Sequence, residues 1–221
     1  MLAFACKVTA VTVNESRTRN RRGEGARLRE EIVEAASALL DETGDERALT
    51  LRSIARRAGI AAPSIYRVFP DQPAIMLAVV RGAFADLHEA LVAAAGDTPL
   101  DRLLALCHAY LEFARSRPQR YRTMFGGIWI PTPNGSTVTA TDLTTLGDAS
   151  LDRLAEVLAE CAAAGVSAST DPAGDAVAVW LGLHGLAHQR TAAPAFPWPS
   201  DIAERLVTAL AHLHPSRTNL P

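Results

Sequence analysis

The chain has 221 residues, 48% of them hydrophobic, with 22 Lys and Arg against 24 Asp and Glu and a formal net charge of −2. That length is enough to bury a real core in one large or two small domains. No apolar run approaches the ~18 residues a membrane span needs, and three scattered cysteines, Cys6, Cys107 and Cys161, give no disulfide framework and point to a reducing cytoplasm. The near-neutral total hides an asymmetry. Lys7, Arg17, Arg19, Arg21, Arg22, Arg27 and Arg29 face only Glu15 and Glu24, whereas from Met76 onward ten arginines face fourteen acids. A basic arm before an acidic body suggests a polyanion partner at one end only. The opening "MLAFACKVTAVTV" is short, broken by Lys7 and followed by polar residues, so residues 1–25 are expected to be a flexible basic arm and not a signal peptide.

In chain order, "ARLREEIVEAASALLDETG" puts Leu28, Ile32, Ala35, Leu39 and Leu40 on one helical face, with Gly44 as the stop. Thr50 is a good N-cap for a second helix with Leu51, Ile54, Ala55 and Ala58 inward, and Gly59 ends it. A third helix begins near Ala62, tolerates Pro63 in its first turn and buries Ile65, Val68 and Phe69. "FPDQPA" then breaks the chain. Further helices are expected over 73–95, 99–116, from Pro118, over 143–164, from an Asp171 cap with Pro172, and over 200–213. No strand alternation persists, so the expected fold is all-α. Residues 126–147 fit no helix, with two prolines, four glycines and one charge, Asp142; they read equally as a lid or as a plain connection.

Two short helices joined by a turn of about three residues containing Gly form a helix-turn-helix. In that arrangement the first helix braces across a phosphate backbone and the second puts its N-terminal residues into the major groove. The entrance of the second must therefore be small or polar. Pro63, Ser64 and Arg67 satisfy this, and Tyr66 sits on a flank where its phenol can reach a phosphate. Thr50, Arg52 and Ser53 stand at the start of the bracing helix, where free amides and the dipole also favour phosphate. Arg22 and Arg27 extend the basic surface into the arm.

"TLRSIARRAGIAAPSIYRVF" resembles the TetR family of regulators. Thr50, Arg52, Ile54, Ala55, Ala58, Gly59, Ile65, Tyr66 and Phe69 match the family pattern. Three positions depart from it: Ala61 replaces the Ser that caps the recognition helix, Val68 replaces an aromatic residue, and Gln72 replaces a phosphate-touching Lys. The resemblance implies an N-terminal three-helix helix-turn-helix DNA-binding domain over 26–72 and a helical ligand-binding and dimerisation domain over 73–221. It further implies a homodimer on a double-stranded DNA operator, released by a small-molecule effector, with no cofactor.

"GDAVAVWLGLHGLAHQR" is apolar nearly all round over residues 176–186, so this helix is expected to be covered on more than one side, with Gly182 and Gly185 permitting close approach. Ile202, Leu206, Leu210 and Leu213 form a stripe on the last helix. The last two helices are therefore expected to pair with their symmetry mates, although an intramolecular bundle core would use the same residues. Trp180 and His184, one turn apart, resemble the W-H-G signature of one TetR subgroup. His184 either bonds a ligand or satisfies a buried partner. Cys107, His108, Tyr121, Phe125 and Trp129 complete an expected ligand set with Trp180 and His184, whose aromatic walls suit an apolar or aromatic effector. His184 and His188 have a metal-compatible spacing, but no Glu accompanies them in an H-E-x-x-H pattern, and neither a nucleophile elbow nor a phosphate-binding glycine loop is present. The expected function is regulatory and not catalytic.

Overall fold

The computed structural model describes residues 24–126 and 136–214. The described residues are helical throughout, apart from connections and one isolated bridge between Ser167 and Leu213. The helices are α1 (Glu24–Thr43), α2 (Leu51–Arg57), α3 (Gln72–Val92), α4 (Pro99–Ser116), α5 (Pro118–Phe125), α6 (Ala140–Thr144), α7 (Asp148–Ala163), α8 (Pro172–Ala192) and α9 (Ile202–Leu210). Two 3-10 helices, Glu46–Ala48 and Ala62–Arg67, lie in the N-terminal part.

Local chemistry sets most boundaries. Thr98 accepts from the Asp101 amide while the Asp101 carboxylate accepts from the Thr98 amide, and Pro99 opens α4. Asp71 caps α3 through the Ala74 amide at 2.8 Å, and Asp171 caps α8 ahead of Pro172. Gly44, at φ +63°, closes α1 with its amide on the Leu40 carbonyl.

Three expectations change. The helix expected over 143–164 is two, because Gly147 adopts φ +86° between α6 and α7. The last helix stops at Leu210, where His212 turns to φ 50° and residues 166–168 exchange backbone bonds with residues 212–214. The third helix is a six-residue 3-10 helix. Ala61 offers no capping side chain, and the Ser64 amide closes onto the Ala61 carbonyl at 2.8 Å.

The buried side chains form two clusters. Ile32, Ile54, Ile65 and Phe69 pack with Ile75 and Val79 in the head. Leu87, Leu103, Leu158 and Leu183 belong to a larger cluster in the body. Helix α3 supplies both, Ile75 and Val79 to the first and Leu87 and Leu91 to the second, so it is the mechanical link between them.

Candidate functional site

In the head, α2 begins with a reciprocal cap. Thr50 Oγ1 accepts from the Ser53 amide at 3.1 Å, and Ser53 Oγ accepts from the Thr50 amide at 3.0 Å. Ser53 Oγ also donates to the Ala48 carbonyl, so its hydroxyl is absorbed by the fold and half-buried. Arg52 and Arg56 project from the same helix into solvent, with no ion pair among the described residues, while Arg57 is tied to Glu42. Gly59 makes the turn at φ +66°, and a methyl there would meet nothing within 4 Å. On the recognition helix, Pro63, Tyr66 and Arg67 are exposed, Tyr66 to 61%, and Ser64 is half-buried. Ile65 and Phe69 anchor this helix from beneath. Arg27 pairs with Glu31 on α1 at 3.1 Å, and Arg22 lies outside the described residues.

Two residues that the sequence marks only as a basic charge and as a departure from the family pattern hold this surface. Arg29 lies 4.2 Å from the centroid of the Phe69 ring and donates to the Val68 carbonyl at 3.3 Å, clamping the end of the recognition helix. Gln72 Nε2 donates to the Leu49 carbonyl at 2.6 Å, tying the start of α3 to the entrance of α2.

The body encloses a cavity of about 210 Å³ between α3, α4, α5, α7 and α8. Its aromatic wall is Phe84, Tyr110, Phe125 and Trp180, with aliphatic floor from Leu87, Leu154 and Leu183. Phe125 is the hub, 5.5 Å from Phe84, 5.0 Å from Tyr121 and 4.8 Å from His184, centroid to centroid. Behind the wall, the Tyr110 and Tyr121 hydroxyls are 3.0 Å apart and Tyr121 is 2.7 Å from His184 Nδ1. With His184 as the Nε2–H tautomer, Tyr110 donates to Tyr121 and Tyr121 donates to Nδ1, which satisfies the row. Burial holds His184 below the ordinary imidazole value, with His188 adding to the effect. Burial also pushes the Tyr121 phenol up to about 12 against an opposing hydrogen bond from Tyr110.

Of the expected ligand set, Phe125 and Trp180 line this cavity, and Tyr121 and His184 stand directly behind its wall. Cys107 does not line it: the thiol is buried in the core, and desolvation pushes it up to about 12, with Cys161 contributing. His108 is exposed and lines a separate groove with Ala187 and Ala203. Trp129 lies outside the described residues. Phe84 was missed, although its spacing with Leu87 and Leu91 marks one face of α3. Among the described residues, no group of three or more His, Cys, Asp or Glu could hold a metal ion, and no helix is long and apolar enough to cross a membrane.

Residues 32–79 match the family model "Bacterial regulatory proteins, tetR family", and residues 103–213 match "Tetracyclin repressor-like, C-terminal domain". An uncharacterised HTH-type transcriptional regulator of Mycobacterium tuberculosis is 39% identical over 56 residues, which is 25% of this chain and 29% of that one. The matched stretch thus spans less than a third of that relative. A protein of unknown function from Rhodococcus sp. is 27% identical and superposes with a TM-score of 0.67, covering 83% of this chain and 91% of the other. A putative TetR family transcriptional regulator from Vibrio parahaemolyticus shares the fold at 19% identity, with a TM-score of 0.62 over 83% and 96% of the two chains. The families matched are those of regulators and not of enzymes. With a helix-turn-helix head, an all-helical body around an aromatic cavity, and family models matching both, the chain belongs to the TetR family of bacterial transcriptional regulators.

Proposed function

We propose that the chain is a cytoplasmic, homodimeric, sequence-specific repressor, released from its operator by a small, largely apolar or aromatic ligand held in the body. The division at residues 72 and 73 separates reading from sensing, with α3 serving both. Pro63, Ser64 and Arg67 meet the major groove, Thr50, Arg52 and Tyr66 meet the phosphate backbone, and Ser53 caps the helix that presents Thr50 and Arg52. Arg22 and Arg27 add phosphate or minor-groove contacts.

One observation carries the ligand-responsive part of this reading. Helix α5 faces the cavity with Phe125 and supports its wall with Tyr121, while Arg120 on the same helix reaches Asp41 of α1 at 3.3 Å and Asp86 of α3 at 3.0 Å. A ligand that shifts α5 thereby changes what holds the head. The Trp180–His184 pair, 5.7 Å apart, supports assignment to the W-H-G subgroup.

Support for the dimer comes from α8. Val177 and Leu181 are 38% and 55% exposed, and a methyl on Gly185 would meet nothing within 4 Å, so this stripe is bare. Gly182 is different: a methyl there would lie 2.6 Å from a Leu210 methyl, so that glycine serves the intrachain packing of α9 on α8. The test is the mass of the free and DNA-bound species. Wild type should run as a dimer and Leu181→Glu as a monomer with weakened operator binding. A dimer that survives Leu181→Glu unaltered would move the interface elsewhere.

A further inference from the structure

Beside the cavity lies a second, more open recess of about 270 Å³, lined by Arg81, His88, Thr145 and Ala149. The two spaces share Phe84, Leu146, Gly147 and Ser150 as walls, so they adjoin along the seam between α3 and the start of α7. Gly147 keeps that seam narrow: a methyl on it would come within 2.8 Å of Phe84 Cε1. The chamber is walled mainly by aromatic and aliphatic side chains with Asp148 at its edge, the recess adds Arg81 and His88, and Ser150 lines both.

Three buried side-chain atoms among the described residues have no hydrogen-bond partner: His88 Nδ1, Ser150 Oγ and Arg153 Nε. All belong to α3 or α7, and His88 and Ser150 both line the recess. Ser150 and Arg153, three residues apart, share one side of α7. A buried polar atom left unpaired costs stability, and a fold that keeps several along one seam has a use for them.

The charges narrow that use. Arg81 is neutralised by Asp142 at 2.7 Å. The remaining charged residue lining either space is Asp148, a carboxylate with no ion pair among the described residues. An anionic head group would meet this charge, and an ionised group of either sign would lose water on entering. A neutral oxygen can instead pair with Ser150 Oγ and His88.

Resting on the cavity reading above, we infer that the site takes a neutral amphiphile, with an aromatic or apolar body in the Phe84–Trp180 chamber and a hydroxyl or carbonyl head bonded to Ser150 and His88. A cavity of ~150 Å³ admits a benzene-sized guest, so the chamber takes one ring with a short chain.

The test titrates the full chain calorimetrically with phenylpropanol, phenylpropanoate, phenylpropylammonium and propylbenzene. Phenylpropanol should bind more than about tenfold tighter than either ion. Ser150→Ala and His88→Leu should each weaken the alcohol about three- to tenfold, the worth of one hydrogen bond, and leave propylbenzene unchanged. Ser150→Ala should also melt no lower than wild type without ligand, which a structural serine would not allow. Failure of the alcohol to bind, tighter binding of either ion, or full alcohol affinity in both variants overturns the inference. If Trp180→Ala weakens all four compounds while the polar variants change nothing, the cavity stands and the head-group assignment falls. If no variant changes any binding, both fall.

Discussion

The Tyr121 hydroxyl lies 2.7 Å from His184 Nδ1, and that contact joins α5 to α8 across the back of the aromatic cavity. It is the shorter of two tyrosine contacts to that nitrogen, the Tyr110 hydroxyl lying 3.4 Å away, and the ring packs against Phe125 and Trp180. In this arrangement His184 is first a wall-holder, and its state governs how firmly α5 is seated.

A pH dependence follows. The folded protein holds His184 below its ordinary value of 6.5 because burial disfavours the imidazolium and His188 repels it. Between the folded and unfolded values the unfolded chain binds more protons, so stability rises with pH there. The contribution is present above about 6.5 and is lost as pH falls through the depressed folded value. Melting temperatures from pH 5 to 8 should drop on the acid side, and His184→Gln should flatten that drop. An identical profile in the variant would assign the acid sensitivity to another group.

Arg29 should matter to DNA binding without touching DNA. Its guanidinium covers the Phe69 ring at 4.2 Å and bonds the Val68 carbonyl, fixing the end of a helix only six residues long. Arg29→Ala should cost about 1 kcal/mol of stability and lower operator affinity while leaving the salt slope unchanged. A reduced slope with unchanged stability would make Arg29 a phosphate contact instead.

Arg52 and Arg67 should separate by type of contact. Arg67→Ala should weaken operator binding by ~1–3 kcal/mol and relax base preference, if the side chain reads a base edge. Arg52→Ala should weaken all sequences alike and lower the salt slope by about 1. Competition titrations with operator and random duplex measure both.

Gly147→Ala and Gly59→Ala form a matched pair. Both glycines have positive φ, +86° and +66°, but only the methyl at 147 would strike Phe84, while that at 59 meets open space. Gly59→Ala should cost the backbone strain alone, ~1–2 kcal/mol, and Gly147→Ala about 1–3 kcal/mol more. Urea midpoints check the difference, and equal costs would mean that Phe84 yields freely.

Much of the fold was written in caps and breakers. Thr50, Thr98, Asp171, Gly44 and Gly59 mark ends by local chemistry that needs no tertiary partner, and the helices start or stop there. The split at Gly147 was hidden because isolated glycines also occur within helices, and the left-handed φ and the Phe84 ring packed where a side chain would sit are tertiary features. The shortened recognition helix was legible in Ala61 as a missing cap, but not as a 3-10 geometry. In the cavity, aromatic type pointed to Tyr121, Phe125 and Trp180. It could not separate them from Cys107 and His108, because each step along α4 turns the side chain by about 100°, and register against α7 and α8 decides which face is lined. Arg29 and Gln72 were read as charge and as a departure from a pattern; their bonds to Val68 and Leu49 reach residues 39 and 23 positions away.

The central claim, a sequence-reading regulator, is tested most directly by titrating the purified protein against the DNA upstream of its own gene at several salt concentrations. The account predicts tight binding that random duplex cannot compete away, with affinity falling steeply as salt rises. Weak binding, equal on random DNA at every salt concentration, would contradict it.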